Sequence, residues 1–326
     1  MNGQLPTASL NRHPVLPGNE LDVFVVGPSR SGSALLYKLL CLHPDVAYVS
    51  NLERRLPWLP ASATGRVRLR RYSSKLRHWF QDQFDDPRRT PGALRPLLDR
   101  VVPMPVDAES VCIRAGVWAE PAVDGQEPPT YDKHPDASAV ARLRTRFARL
   151  KQVSRAHVLA SRLGGASRRL PVIDAIFPQA RYLSVIRDGC EAAASLSRVN
   201  GWSRKPLWWD ERGRTPAQAV EEGEELLSLC ARNWLAETRE IARGLARVPQ
   251  SRVLCVHHEA LVATPIEQMR VVLEFLDLEP RAGYEWALKA LKLDRPRGAR
   301  RSAADSARAD TVIRRHADRG ASEVAP

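Results

Sequence analysis

Lysine, cysteine and long apolar runs are all scarce in this chain, and each shortage removes a class of protein. The five cysteines (Cys41, Cys112, Cys190, Cys230 and Cys255) are odd in number, scattered, and nowhere paired as C-x-x-C. That spacing offers neither a structural zinc site nor a disulfide framework, and it reads as reduced, mostly buried thiols in a cytoplasmic protein. No stretch of eighteen uncharged apolar residues occurs, so no transmembrane segment is expected. The opening MNGQLPTASLNRHPVLPGNE has no apolar centre and lacks the form of a signal peptide.

Only seven of the fifty basic residues are lysine, so arginine carries nearly all of a formal net charge of +13. Such an excess points to an anionic partner. The fixed fork of an arginine suits phosphate and sulfate oxygens, although GC-rich coding would bias the composition the same way. Nucleic acid is the other anion to weigh. No helix-turn-helix, zinc-finger or RNA-binding signature is present, so no specific nucleic-acid partner is expected.

The 326 residues suffice for one large α/β domain or two smaller ones. LDVFVVG (21–27) is a short β-branched run of the kind buried in parallel sheets, and leucines at helical spacing follow it from Leu35 to Leu42. VAYVS, RYLSVIRDG and RVLCVHH read as further strands. Residues 136–164 and 221–245 read as helices, and Thr264, Pro265 and Glu267 predict a capping box opening another. Strands alternating with helices predict a parallel sheet with helices on both faces. Residues 1–20 read as a loose leader, 21–300 as a single domain, and 301–326 as a basic, mobile tail. Within the domain, residues 52–135 are irregular and read as a variable, acceptor-side region.

GPSRSGSALL, directly after the first strand, carries the chemistry. Gly27 and Gly32 have the spacing of a Walker A loop, but Ser33 stands where its lysine belongs and Ala34 where its hydroxyl belongs. An ordinary ATPase would lose both its phosphate lysine and its Mg²⁺ ligand. The basic residue is instead Arg30, inside the loop. Backbone amides of Ser31 to Ala34 at a helix N-terminus would still suit an anion. A second basic turn, IRDGCEAAASL, places Arg187 at a strand end and Ser195 eight residues later, 157 positions after Arg30.

The loop and this second turn, in this order, resemble the two half-sites of sulfotransferases that use 3′-phosphoadenosine 5′-phosphosulfate (PAPS). IFPQARYLSVIRDG and RVLCVHHEALVATPIEQMRVVLEFLDL are similar to further segments of that family, as is Trp234 in ARNW. The resemblance covers about residues 21–50 and 165–300. It implies a P-loop-like sulfotransferase fold and in-line transfer of a sulfuryl group from PAPS, without a metal, to a hydroxyl or amine of a small-molecule, lipid or carbohydrate acceptor. It implies that Arg30, Ser31, Gly32, Ser33 and Ala34 hold the 5′ side. Arg30 would act at the breaking bond, and Arg187 and Ser195 would hold the 3′-phosphate. Arg295, Arg297 and Gly298 of RPRG sit where the family places a basic loop over that phosphate.

The chain departs from the family at the general base. Ser50 and Asn51 stand where the tyrosine-directed branch has glutamate, which leaves Glu53 and His157 as candidates. Ala34 also lacks a hydroxyl present in relatives. A small-molecule kinase with an altered loop, a non-catalytic binder of the desulfated nucleotide PAP, and assembly as a homodimer all stay open at this point.

Overall fold

The computed structural model describes residues 20–55, 79–80, 103–118, 135–163, 168–199, 201–293, 310–311 and 313. Five strands form one sheet: β1 (Leu21–Val26), β2 (Val46–Tyr48), β3 (Val158–Arg162), β4 (Arg181–Ile186) and β5 (Val253–His257). Their order is β2-β3-β1-β4-β5, and every pairing is parallel. The central position of β1 explains its composition. With both faces covered it has no solvated side, so a continuous apolar run replaces alternation. Val23 and Val25 enter the core beneath α1 (Ser33–Cys41), while Phe24 and Val26 enter the core on the opposite face. There Phe24 packs against Phe177 and Tyr182, with ring centroids 5.4 and 6.0 Å away. Truncating Phe24 to alanine would cost about 3–5 kcal/mol.

Three sequence expectations need correction. Residues 136–164 are not one helix: α4 (Ala137–Ser154) ends, and β3 begins four residues later. The helix stops at Arg155 in the left-handed region, φ 50°, a conformation usually signalled by glycine. No such signal was present, so the strand between β1 and β2 went unread. The second correction concerns 221–245: its helix, α8, begins only at Leu226 and runs to Leu245, while Glu221 ends a separate short helix, α7 (Pro216–Glu221). Finally, the Thr264 capping box does not form. The Thr264 hydroxyl instead bonds the Ala260 carbonyl at 3.3 Å, although α10 (Pro265–Phe275) does start at Pro265.

Most of residues 52–135, expected above to be an acceptor-side region, the residues before Glu20 and most of 301–326 lie outside the described residues. Within that region α2 (Asn51–Arg55) and α3 (Glu109–Ala115) are described. Ile313, from the tail, packs beside Ala193, Leu196, Cys230 and Ala231. The cysteines are free and all but Cys255 are buried. No helix among the described residues is long and apolar enough to cross a membrane.

Candidate active site

A parallel sheet gathers its strand-to-helix turns along one edge, and this one gathers arginines there. The turn after β1 is wound tightly. The Ser31 amide donates to the Pro28 carbonyl at 3.0 Å, Arg30 is left-handed at φ 66°, and Gly32 follows at φ 95°. Gly32 is required twice over. Its backbone disfavours a side chain, and a Cβ there would fall 2.3 Å from Nδ1 of His258, at the start of α9 (His258–Ala263). Ser31 therefore spends its amide inside the turn, which trims the expected anion-facing set. The amides of Gly32, Ser33 and Ala34 donate to no acceptor among the described residues, and they open α1.

The second turn folds onto the first. Following β4, Arg187 donates from Nη1 to the Arg30 carbonyl at 2.9 Å and from Nη2 to Glu191 at 3.0 Å. Its Nε is buried and has no acceptor among the described residues. Next comes α6 (Gly189–Leu196), capped by the Asp188 carboxylate accepting from the Glu191 amide at 2.8 Å. This helix carries Ser195 to within 3.0 Å of Arg30 Nε. Arg30, Arg187 and Ser195 thus form one hydrogen-bonded cluster. Trp234 on α8 packs so closely on Gly189 that a Cβ would lie 2.7 Å from its ring, and Ile313 presses on the same glycine.

Two residues of this edge escaped sequence reasoning. Arg162, at the end of β3, is held by Asp107 at 2.7 Å. Burial draws the Arg30 pKa below the ordinary arginine value, and the charges of Arg187 and then Arg162 add to that. Three guanidiniums on adjacent strands repel one another, and a bound anion would relieve them. The second is Glu237 on α8, whose carboxylate accepts from the Ser29 hydroxyl at 2.9 Å and from the Ser29 amide. Arg162 had a signal, a basic residue ending an apolar run, once the end of α4 is recognised. Glu237 had none.

The base candidates fare differently. Glu53 lies beyond β2 at the same edge of the sheet, but it is fully buried and its carboxylate is ion-paired with Arg146. Arg114 adds a contact to the Glu53 carbonyl at 3.4 Å. His157 stands at the amino end of β3, where its carbonyl accepts from the Leu21 amide at 2.8 Å. Five strand residues separate it from the arginine edge, roughly 16 Å of extended chain. The structure does not bring His157 to the cluster. Arg295, Arg297 and Gly298 lie outside the described residues. A cavity of about 320 Å³ opens past the end of α6, lined in part by Ser197, Trp202 and Arg204.

A wound loop at a helix N-terminus, joined to a strand-end arginine and a helix serine on a parallel sheet, is the arrangement of an α/β protein with a P-loop-like fold. The family model described as "Sulfotransferase family" matches residues 22–282, and the chain belongs to that family. Among solved structures it is similar to the sulfotransferase STF9 from Mycobacterium avium, with a TM-score of 0.57 at 17% identity, covering 92% of this chain and 76% of that one. It is also similar to the sulfotransferase STF1 from Mycobacterium tuberculosis H37Rv, with a TM-score of 0.49 at 14% identity over 91% of this chain and 76% of that one. At 17% identity the likeness to STF9 speaks for the fold alone. No curated protein matches the chain.

Proposed function

We propose that the chain is a PAPS-dependent sulfotransferase acting on a hydroxyl or amine of a small-molecule, lipid or carbohydrate acceptor. The observation that carries this reading is the hydrogen-bonded cluster of Arg30, Arg187 and Ser195 beside the free amides of Gly32, Ser33 and Ala34. The residues present fit a doubly phosphorylated nucleotide. Arg187 Nε is a buried donor without an acceptor among the described residues, and the loop amides point from a helix N-terminus. When bound, PAPS supplies the activated sulfuryl group.

In this reading Arg187 and Ser195 hold the 3′-phosphate, and Gly32, Ser33 and Ala34 hold the 5′ side through their backbone. Arg30, fixed by its bond to Ser195, places positive charge where negative charge develops at the leaving oxygen. Arg162 adds to the same field from β3. Positioning and electrostatics of this sort account for transfer without any covalent role for the protein. Glu53 and His157 are left without support as general base by their positions. Calorimetric titration with PAP, beside AMP and ATP·Mg²⁺, tests the proposal. Tight PAP binding with weak AMP binding supports it, whereas binding of ATP·Mg²⁺ alone would replace it with the kinase reading.

A further inference from the structure

We propose that Glu237 is a positioning residue for the phosphate-binding loop, and that its charge limits how tightly the loop holds an anion. The inference rests on the PAPS reading above. Ser29 lies 208 positions from Glu237, yet both of its donors end on that one carboxylate: the hydroxyl on Oε1 at 2.9 Å and the amide on Oε2. Ser29 immediately precedes Arg30, whose left-handed backbone persists only if its neighbours over-determine it. The Glu237 clamp fixes the residue before Arg30, and the Ser31–Pro28 turn fixes the residue after it. Between the two, the Arg30 side chain is aimed at Ser195 and its carbonyl at Arg187.

A carboxylate is a peculiar choice at the rim of an anion site, because it repels what the loop is built to receive. A glutamine could still bond both Ser29 groups, its oxygen accepting from the amide and its NH₂ donating to the hydroxyl oxygen. The carboxylate grips harder through charge-assisted bonds, while opposing a bound phosphate. Burial pushes the Glu237 pKa above the usual carboxylate value, and the Ser29 bonds, Asn233 and Arg168 draw it back in part. Asn233, one turn earlier on α8, accepts from Trp209 Nε1 at 3.1 Å, so this face of α8 joins the tryptophan-bearing 202–215 segment to the loop.

The test is calorimetric titration with PAP on the full chain as wild type, Glu237→Gln, Glu237→Ala, Ser29→Ala and the double variant Glu237→Ala/Ser29→Ala. Glu237→Ala is expected to raise the PAP Kd at least about tenfold, the size of a charged hydrogen bond, and Ser29→Ala about threefold. The double variant should be no weaker than Glu237→Ala alone, since both remove one interaction. Glu237→Gln should bind as tightly as wild type or tighter. Wild type that takes up no PAP would bring down the PAPS reading and this inference together. Wild type that binds, with Glu237→Ala within about twofold of it, would overturn this inference alone. Glu237→Gln as weak as Glu237→Ala would also overturn it, because hydrogen bonding would then not be what Glu237 contributes. Should Glu237→Ala fail to fold, Ser29→Ala and Glu237→Gln decide: an unchanged Ser29→Ala sinks the proposal.

Discussion

Arg30 Nε donates to Ser195 Oγ at 3.0 Å, so the two strand–helix turns of this edge are a single hydrogen-bonded unit. Ser195 accepts in that bond and keeps its own proton for another acceptor, which in the proposed reaction is the 3′-phosphate. Ser195→Ala removes the anchor of Arg30 and a phosphate donor together. We expect the PAP Kd to rise on the order of tenfold, about 1.4 kcal/mol, with kcat falling as well because Arg30 loses its aim. A variant with weaker PAP binding and unchanged kcat would show that the Arg30–Ser195 bond plays no part in the transfer step.

Arg187 joins the same unit from the other side, through the Arg30 carbonyl at 2.9 Å. Arg187→Ala is expected to weaken PAP binding by roughly 100-fold, the loss of two charge-assisted bonds, while leaving AMP binding nearly unchanged. Arg187→Lys should recover little of it, since an ammonium cannot bond the Arg30 carbonyl, Glu191 and a phosphate with one fork. Equal losses for PAP and AMP would place Arg187 away from the 3′-phosphate.

What was legible in the sequence was whatever local spacing encodes. Gly27 and Gly32 mark a wound loop because positive φ and close packing exclude side chains there, and Arg187 and Ser195 lie eight positions apart on one strand–helix turn. Fold class followed from the apolar run of β1 and the alternation after it. The strand β3 was hidden because Arg155 ends α4 in a left-handed turn without glycine or proline. That one omission concealed Arg162 and made His157 look like a candidate base, when the register puts it at the opposite edge. Glu237 was illegible for another reason. A glutamate on an amphipathic helix looks like any solvated charge, and only the fold brings it to Ser29.

Gly32 tests the loop without touching a charge. Gly32→Ala puts a methyl 2.3 Å from His258 Nδ1 on a backbone at φ 95°. Displacing the ring and holding alanine in that region should cost about 1–3 kcal/mol, read as a lower Tm. PAP binding should fall further than stability does, because the shift occurs where the amides proposed to hold the 5′ side begin. Wild-type affinity in a destabilised Gly32→Ala would separate this loop from nucleotide binding.

Glu53 is fully buried and pairs with the half-buried Arg146, so removing the arginine strands a carboxylate whereas removing the glutamate leaves a partly solvated guanidinium. Arg146→Met should therefore destabilise the protein by up to about 3–5 kcal/mol in denaturant titrations, and Arg146→Met combined with Glu53→Leu by much less. Glu53→Gln separates a structural role from a catalytic one. A structural Glu53 predicts lower stability with measurable sulfuryl transfer, whereas full stability with transfer abolished would restore it as the base.

The Glu237 carboxyl gives a pH signature whose sign follows from burial. Its folded pKa is raised above the ordinary 4.5, chiefly by burial. The folded chain therefore binds this proton more tightly than the unfolded chain, and the stabilising contribution is complete only at low pH. That contribution is lost as pH rises through the raised value, and above it the buried charge is a constant cost. Glutamine mimics the protonated form at every pH. The Tm advantage of Glu237→Gln over wild type should accordingly be constant above the raised value, then shrink as pH falls through it toward 4.5. A difference that widens on acidification would mean that Ser29, Asn233 and Arg168 stabilise the carboxylate by more than its burial costs, reversing the direction assigned to the shift.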